Sequence, residues 1–131
     1  MRGSKTTRVA LLAATIAMSA CFKDFHLAAS NLQIGPNPAA PGDIVVASVF
    51  LSVVPLQRYT IRVFVDETEH LELNSSEEPS DPTLITLGDA ADLIAAYGLG
   101  AHSVHVVVRA EDADRTARTQ PVALELRQAT P

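Results

Sequence analysis

Residues 101–110, AHSVHVVVRA, decide the fold of this chain because their side chains alternate with a period of two. Valines occupy positions 104, 106 and 108, whereas the intervening positions hold Ser103, His105, Val107 and Arg109. Successive side chains of a β-strand point to opposite faces, so this pattern predicts a strand with one buried face and one outward face.

Similar apolar runs, separated by turn residues, recur along the rest of the chain. The predicted strands are 25–34, 43–54, 58–66, 70–73, 83–87, 101–110 and 121–127. About seven strands at such spacing are typical of an all-β, antiparallel β-sandwich. Residues 111–118 are charged and are predicted to form a turn.

One segment has a different character. Residues 90–97 are rich in alanine, follow Asp89 and precede Gly98. Asp89 can accept hydrogen bonds from the free amides of a helix N-terminus, and glycine suits the position after a helix C-terminus. We therefore expect a short helix at 90–97 within the sandwich.

Three stretches resemble immunoglobulin-like domains of bacterial surface proteins. They are residues 37–43 (NPAAPGD), 59–66 (YTIRVFVD) and 98–108 (GLGAHSVHVVV). They are similar to CARDB-type and PKD-like sandwiches, in which a P-G-D turn opens the second strand and a G-x-H-x-V-x-V stretch forms the penultimate one. The resemblance implies one immunoglobulin-like domain at 27–128 that serves as a non-catalytic binding or spacer module.

The N-terminal segment has the layout of a cleavable export signal. Arg2, Lys5 and Arg8 precede an apolar run at 9–18, and small residues lead to Cys21, the only cysteine. The segment resembles the lipobox signals of bacterial lipoproteins. The resemblance implies cleavage between Ala20 and Cys21, acylation of Cys21 and attachment to the membrane through the lipid.

Two alternatives to lipidation concern the same segment. Cleavage by an ordinary signal peptidase near Ala20 would leave Cys21 as a free thiol, which is unusual in an exported protein. A membrane-spanning helix would need about 20 apolar residues, and the run at 9–18 is shorter. We expect residues 21–26 to be a tether, and Phe22, standing where an aspartate marks inner-membrane retention in some bacteria, favours the outer membrane.

The charge of the mature chain limits its partners. Removing residues 1–20 leaves 111 residues with seven Lys and Arg against fifteen Asp and Glu, a formal net charge of −8. That length suits one small domain, and the acidic balance argues against nucleic acid as a partner.

No motif for catalysis or for a cofactor is present. His102 and His105 stand three residues apart on one predicted strand, so they point to opposite faces and cannot share a metal ion. The sequence has no Gly-x-Ser-x-Gly motif and no phosphate-binding loop, and no cofactor is predicted. Glu111, Asp112 and Asp114 are candidate calcium ligands, although the regular spacing of a calcium loop is missing.

These observations predict an envelope lipoprotein whose domain contacts a protein or a glycan. The expected binding face comprises Phe64, His105, Val107 and Arg109, the outward residues of two strands that we expect to be neighbours. Two alternatives remain: an accessory subunit that pairs through an edge strand with a larger envelope complex, and a calcium-binding adhesion module.

Overall fold

The computed structural model describes residues 25–129, so the predicted signal, Cys21 and most of the tether lie outside the described part. The described residues form eight strands and one helix. In chain order these are β1 (His26–Gly35), β2 (Ile44–Val54), β3 (Tyr59–Val65), β4 (Thr68–Ser75), β5 (Thr83–Asp89), α1 (Ala90–Tyr97), β6 (Gly100–Ala110), β7 (Arg115–Arg118) and β8 (Val122–Leu126).

The strands form two antiparallel sheets. Sheet A has the order β1-β2-β5, and sheet B has the order β4-β3-β6, with β7 and β8 both paired to the far side of β6. β8 pairs with the first half of β6 and β7 with its second half, so together they occupy one strand position. The predicted all-β antiparallel sandwich with one short helix is therefore confirmed.

Two features of the topology differ from simple expectation. The fourth strand pairs with the third, whereas in constant-type immunoglobulin domains it joins the other sheet. β7 occupies residues predicted to form a turn, and only Glu111–Asp114 turn the chain. The prediction was wrong there because residues 115–118 (RTAR) carry no apolar period and are held by pairing with β6.

The core lies between the two sheets and consists mainly of small β-branched side chains. The alternation predicted for β3 and β6 is confirmed, since their inward residues are almost completely buried. Sheet A contributes the inward side chains of β2 and β5. The largest fully buried side chains are Ile85, Leu93, Leu124, Leu126, Val45, Val49, Val63, Val65, Val104, Val106 and Val108.

Helix α1 closes one end of the sandwich between β5 and β6. The predicted cap is confirmed, since an Asp89 carboxylate oxygen accepts a hydrogen bond from the Ala91 amide at 2.8 Å. Gly98 follows the helix with φ of 92°, a region that favours glycine, and its amide donates to the Ile94 carbonyl at 2.7 Å. Leu93 points into the core and is buried. No helix within residues 25–129 is long and apolar enough to cross a membrane.

Asn37 joins the two sheets where the chain leaves β1. Its amide nitrogen donates to the Ala123 carbonyl at 2.7 Å, and its amide oxygen accepts from the Glu125 amide at 2.9 Å. Two main-chain hydrogen bonds lie beside these contacts. The Ala39 amide donates to the Glu125 carbonyl at 2.8 Å, and the Arg127 amide donates to the Ala39 carbonyl at 2.8 Å. The side chain of Asn37 thus substitutes for a strand residue and helps to hold β8 beside the chain that leaves sheet A.

We expect Asn37→Ala to lower the free energy of unfolding by about 1 kcal/mol, because two hydrogen bonds are lost at an exposed site. Urea denaturation at constant pH measures the change. Gln33→Ala, at an exposed position of β1, is the matched control. Equal stability losses in the two variants would contradict the role of Asn37.

Candidate functional site

The predicted binding residues lie on the side of sheet B that faces away from the core, which we call the outward face of sheet B. β3 and β6 are neighbours, as expected: Phe64 is opposite His105, and Arg62 is opposite Val107. The rings of Phe64 and His105 stack in parallel, with their centroids 4.9 Å apart. Arg109 lies one step further along, opposite Thr60.

His105 differs from the expectation that it is an accessible outward residue. Only 3% of its surface is exposed, and its Nδ1 has no hydrogen-bond partner among residues 25–129. Burial lowers the pKa of His105, the positive charge of Arg118 lowers it further, and Glu67 opposes the shift. The ring is therefore neutral at pH 7. Phe64 and Val107 remain half-buried and accessible beside it.

Charged side chains lie among these apolar residues. Arg62 Nε lies 3.2 Å from Glu69 Oε1, and its Nη2 lies 3.7 Å from Glu72 Oε1. On the other side Arg109 Nη2 lies 2.6 Å from Asp114 Oδ1. These pairs are exposed, so each contributes little to stability, about 0–1 kcal/mol. Arg62 and Arg118 lie opposite Val107 on the two neighbouring strands, so apolar and charged side chains are interspersed across the face.

A polar depression lies at the end of this face nearest the start of β1. It has a volume of about 480 Å³ and is lined by Arg58, Asn74, Ser75, Ser76 and Glu111. Beside it the buried hydroxyl of Thr60 lies 2.9 Å from Asn74 Oδ1 and 3.2 Å from Glu111 Oε1. A single hydroxyl proton can serve only one of these two acceptors at a time. The depression therefore has a spare acceptor for an incoming donor.

Two of the three candidate calcium ligands use their carboxylates in other contacts of the described structure. Glu111 accepts from Thr60, and Asp114 pairs with Arg109. The amide of Asp112 donates to the Gln57 side chain at 2.9 Å. Within residues 25–129 no three His, Cys, Asp or Glu side chains converge on a possible metal position. The calcium hypothesis thus receives no geometric support from this turn.

The opposite end of the sandwich contains a histidine–carboxylate pair. His102 Nδ1 is hydrogen-bonded to Asp66 Oδ2, and its Nε2 lies 2.8 Å from the Gly98 carbonyl oxygen. Both partners are acceptors, so both ring nitrogens must carry hydrogen and the ring is an imidazolium. As predicted, His102 and His105 point to opposite faces of β6.

The pKa values of this pair follow from its geometry. Burial of His102 lowers its pKa, but the hydrogen bonds to Asp66 and Gly98 outweigh burial and leave the pKa above 6.5. The pKa of Asp66 is lowered from 3.8, first by the hydrogen bond from His102 and then by that from the Ser103 amide. Between pH 3.8 and pH 6.5, therefore, the Asp66 carboxylate is ionised and the His102 ring is protonated in the folded protein.

This arrangement joins three segments of the fold through the two ring nitrogens of His102. In His102 one nitrogen faces Asp66 and the other faces the Gly98 carbonyl. The pair connects the β3–β4 turn to the start of β6 and to the end of α1.

A second histidine joins the two sheets at the same end. His70 Nε2 lies 2.7 Å from the Leu87 carbonyl oxygen, and its Nδ1 lies 2.7 Å from the Tyr97 hydroxyl. Burial raises the pKa of Tyr97, and the negative charge of Asp66 adds to the shift. Because His70 occupies a main-chain acceptor of β5, it partly blocks that edge against pairing with another strand.

Sequence reasoning missed these contacts. The alternation of residues 70–73 predicts that His70 points outward, yet it is half-buried and contacts α1 and β5. A β-bulge between Val63 and Phe64 shifts the register of β4 at this point. The contact of His102 with Asp66 spans 36 residues, and no local pattern indicates it.

We expect His102→Gln to reduce stability by the largest amount between pH 3.8 and pH 6.5, the ordinary pKa values of the two groups. The contribution of His102 is complete below pH 6.5 and is lost as pH rises through its raised folded-state pKa. The contribution of Asp66 is present above pH 3.8 and is lost as pH falls through its lowered folded-state pKa.

Urea denaturation of wild type and variant at a series of pH values measures this difference. His26→Gln, at an exposed position of β1, is the matched control for replacing a histidine. A stability difference for His102→Gln that stays constant with pH would show that the ring is not charged in the folded protein.

Comparisons with known proteins give no family for this chain. No protein-family model matches it, and no curated protein matches it.

Proposed function

We propose that this protein is a lipid-anchored component of a bacterial envelope, and that its immunoglobulin-like domain binds a protein partner without catalysis. The observation that supports binding is the outward face of sheet B. There the accessible apolar side chains of Phe64 and Val107 lie beside Arg62 and Arg109, which pair with carboxylates.

Protein interfaces commonly contain these residue types, because aromatic residues and arginine are enriched in them relative to the rest of the surface. Phe64 is held flat by its stack on His105, so little side-chain entropy would be lost on contact. Strands β3 and β6 pair over seven residues and provide a rigid support for the face.

Attachment through Cys21 would orient this face relative to the membrane. β1 begins at His26, five residues after the proposed acylated cysteine. Five extended residues span at most about 18 Å, so the end of the sandwich that carries the β2–β3, β4–β5 and β6–β7 loops would lie close to the bilayer. The strands would then run away from the membrane, with the outward face of sheet B exposed at the side.

A glycan is the second candidate ligand, and the polar depression supports it. The guanidinium of Arg58, the amide of Asn74 and the carboxylate of Glu111 offer donors and acceptors to the hydroxyl groups of a sugar. A glycan ligand would lose affinity in Asn74→Ala, whereas a protein bound at Phe64 and Val107 would be insensitive to that change.

We expect the mature protein to begin at Cys21 with fatty acyl chains attached, and Cys21→Ala to leave the membrane fraction. Mass spectrometry of the N-terminus and fractionation of the two forms measure this. A soluble wild type whose Cys21 is an unmodified thiol would contradict the anchor. That result would not affect the proposed binding face.

We expect a photo-reactive amino acid at Val107 to form one discrete adduct with a protein in intact cells. The same group at Ala95, exposed on α1, is the control and should form none. Adding Arg62→Glu should reduce the yield at Val107, because it reverses the charge directly opposite Val107. Failure of the Val107 adduct, or equal adducts from both positions, would refute binding through this face.

A further inference from the structure

Strand β4 forms one edge of sheet B, and its outer side has no partner strand in the described structure. Within residues 25–129 it pairs only with β3. In an antiparallel edge strand, alternate residues turn their amide and carbonyl groups away from the neighbouring strand. The pairing with β3 is regular from Leu71 to Ser75, and Glu72, Leu73 and Asn74 are exposed. This stretch of main chain can therefore hydrogen-bond a further strand.

The other edges of the two sheets are less open. The main chain of Ala39 already hydrogen-bonds the outer side of β8, and β7 has only four residues. His70 occupies the Leu87 carbonyl of β5. The register of β1 shifts between Ser30 and Gln33, which interrupts that edge. β4 contains neither lysine nor proline, two of the residues that commonly protect an edge strand from pairing.

Leu73 marks apolar surface that is left uncovered at this edge. It lies opposite Ile61 of β3, which is 4% exposed, so it points to the core side of sheet B. Yet 44% of Leu73 is exposed, because no strand within residues 25–129 lies beyond β4. Leu71 points the same way, whereas Glu69 and Glu72 point to the outward face of sheet B. An added strand would cover Leu73 on one side and lie beside carboxylates on the other.

The charge along this edge has one sign. Between positions 66 and 81 the sequence has no lysine or arginine, and seven residues are acidic: Asp66, Glu67, Glu69, Glu72, Glu77, Glu78 and Asp81. Arg62 of β3 is shared between Glu69 and Glu72, at 3.2 Å and 3.7 Å, so one positive charge faces two negative charges. A second copy of β4 would add further carboxylates, and like charges on neighbouring strands are destabilising. A basic segment complements this edge.

We propose that β4 binds an extended segment of a partner protein as an additional strand of sheet B, and that this segment alternates basic and apolar residues. Its main chain would hydrogen-bond β4, its basic side chains would lie beside Glu69 and Glu72, and its apolar side chains would cover Leu73. This mode of binding rests on the proposed role of the domain as a protein-binding module, and it specifies the chemistry of the bound segment. It uses the edge of sheet B, whereas Phe64 and Val107 lie on strands within the sheet.

A short synthetic peptide that alternates lysine and valine tests the proposal. Calorimetric titration to millimolar peptide, with the protein purified from the host envelope in non-ionic detergent, measures the dissociation constant. We expect Glu72→Lys to raise this constant by at least about tenfold, because it reverses the charge beside the added strand. The matched control is Glu125→Lys, on β8 at the opposite edge of sheet B. It changes the net charge equally and should bind the peptide like wild type.

Amide hydrogen exchange of the wild type distinguishes strand addition from attraction between charges alone. With peptide bound, we expect alternate amides between residues 71 and 75 to exchange more slowly, because they become hydrogen-bonded, and the amides of β8 to be unchanged. A peptide of the same composition whose lysines and valines form two blocks should bind at least about tenfold more weakly, because it cannot place them on opposite faces.

Three results would overturn the proposal: no binding at millimolar peptide, equal weakening in Glu72→Lys and Glu125→Lys, or binding without slower exchange in β4. None of them affects the adduct expected at Val107, so failure at the edge is distinguishable from failure of the proposed binding face. Absence of both the peptide complex and the Val107 adduct would contradict both.

Discussion

The two sheets are held together by the packing of small β-branched side chains, and the other features depend on that contact. The inward residues of β3 and β6, among them Val63, Val65, Val104 and Val106, belong to one buried cluster with those of β2. Each buried valine contributes about 1.5 kcal/mol or more by leaving water. The described residues contain no cysteine, so no disulfide within this part of the chain supplements the packing. Short, stiff side chains permit close approach of the sheets and fix the strand register that sets both outward faces.

The strand pattern and the helix could be predicted because they rest on local chemistry. The spacing of the valines in β6 indicates a half-buried strand. Asp89 and Gly98 indicate the ends of α1, because the aspartate side chain caps a helix N-terminus and glycine favours the backbone conformation after a helix C-terminus. β7 could not be predicted, because its four residues (RTAR) have no apolar alternation. They form a strand because they pair with β6. Local pattern is therefore sufficient where a segment provides its own apolar face, and it fails where a neighbour supplies the stability.

The candidate site shows the same division. Alternation placed Phe64 and Val107 on the outward side and suggested that their strands are neighbours, as the structure shows. The same alternation could not reveal that the ring of His105 is covered, because burial on an outward face depends on neighbouring side chains. The bonds of His70 and His102 arise where the β3–β4 turn meets α1, and these segments are distant in sequence. Polar contacts of long sequence separation leave no periodic signal in the chain.

The two outward faces differ because the strands that form them differ in composition, although both sheets alternate in the same way. Outward positions of β3, β4 and β6 carry charges that pair at the surface and keep it soluble. Outward positions of β2 and β5 carry serine, threonine and aliphatic residues, so this side exposes apolar groups.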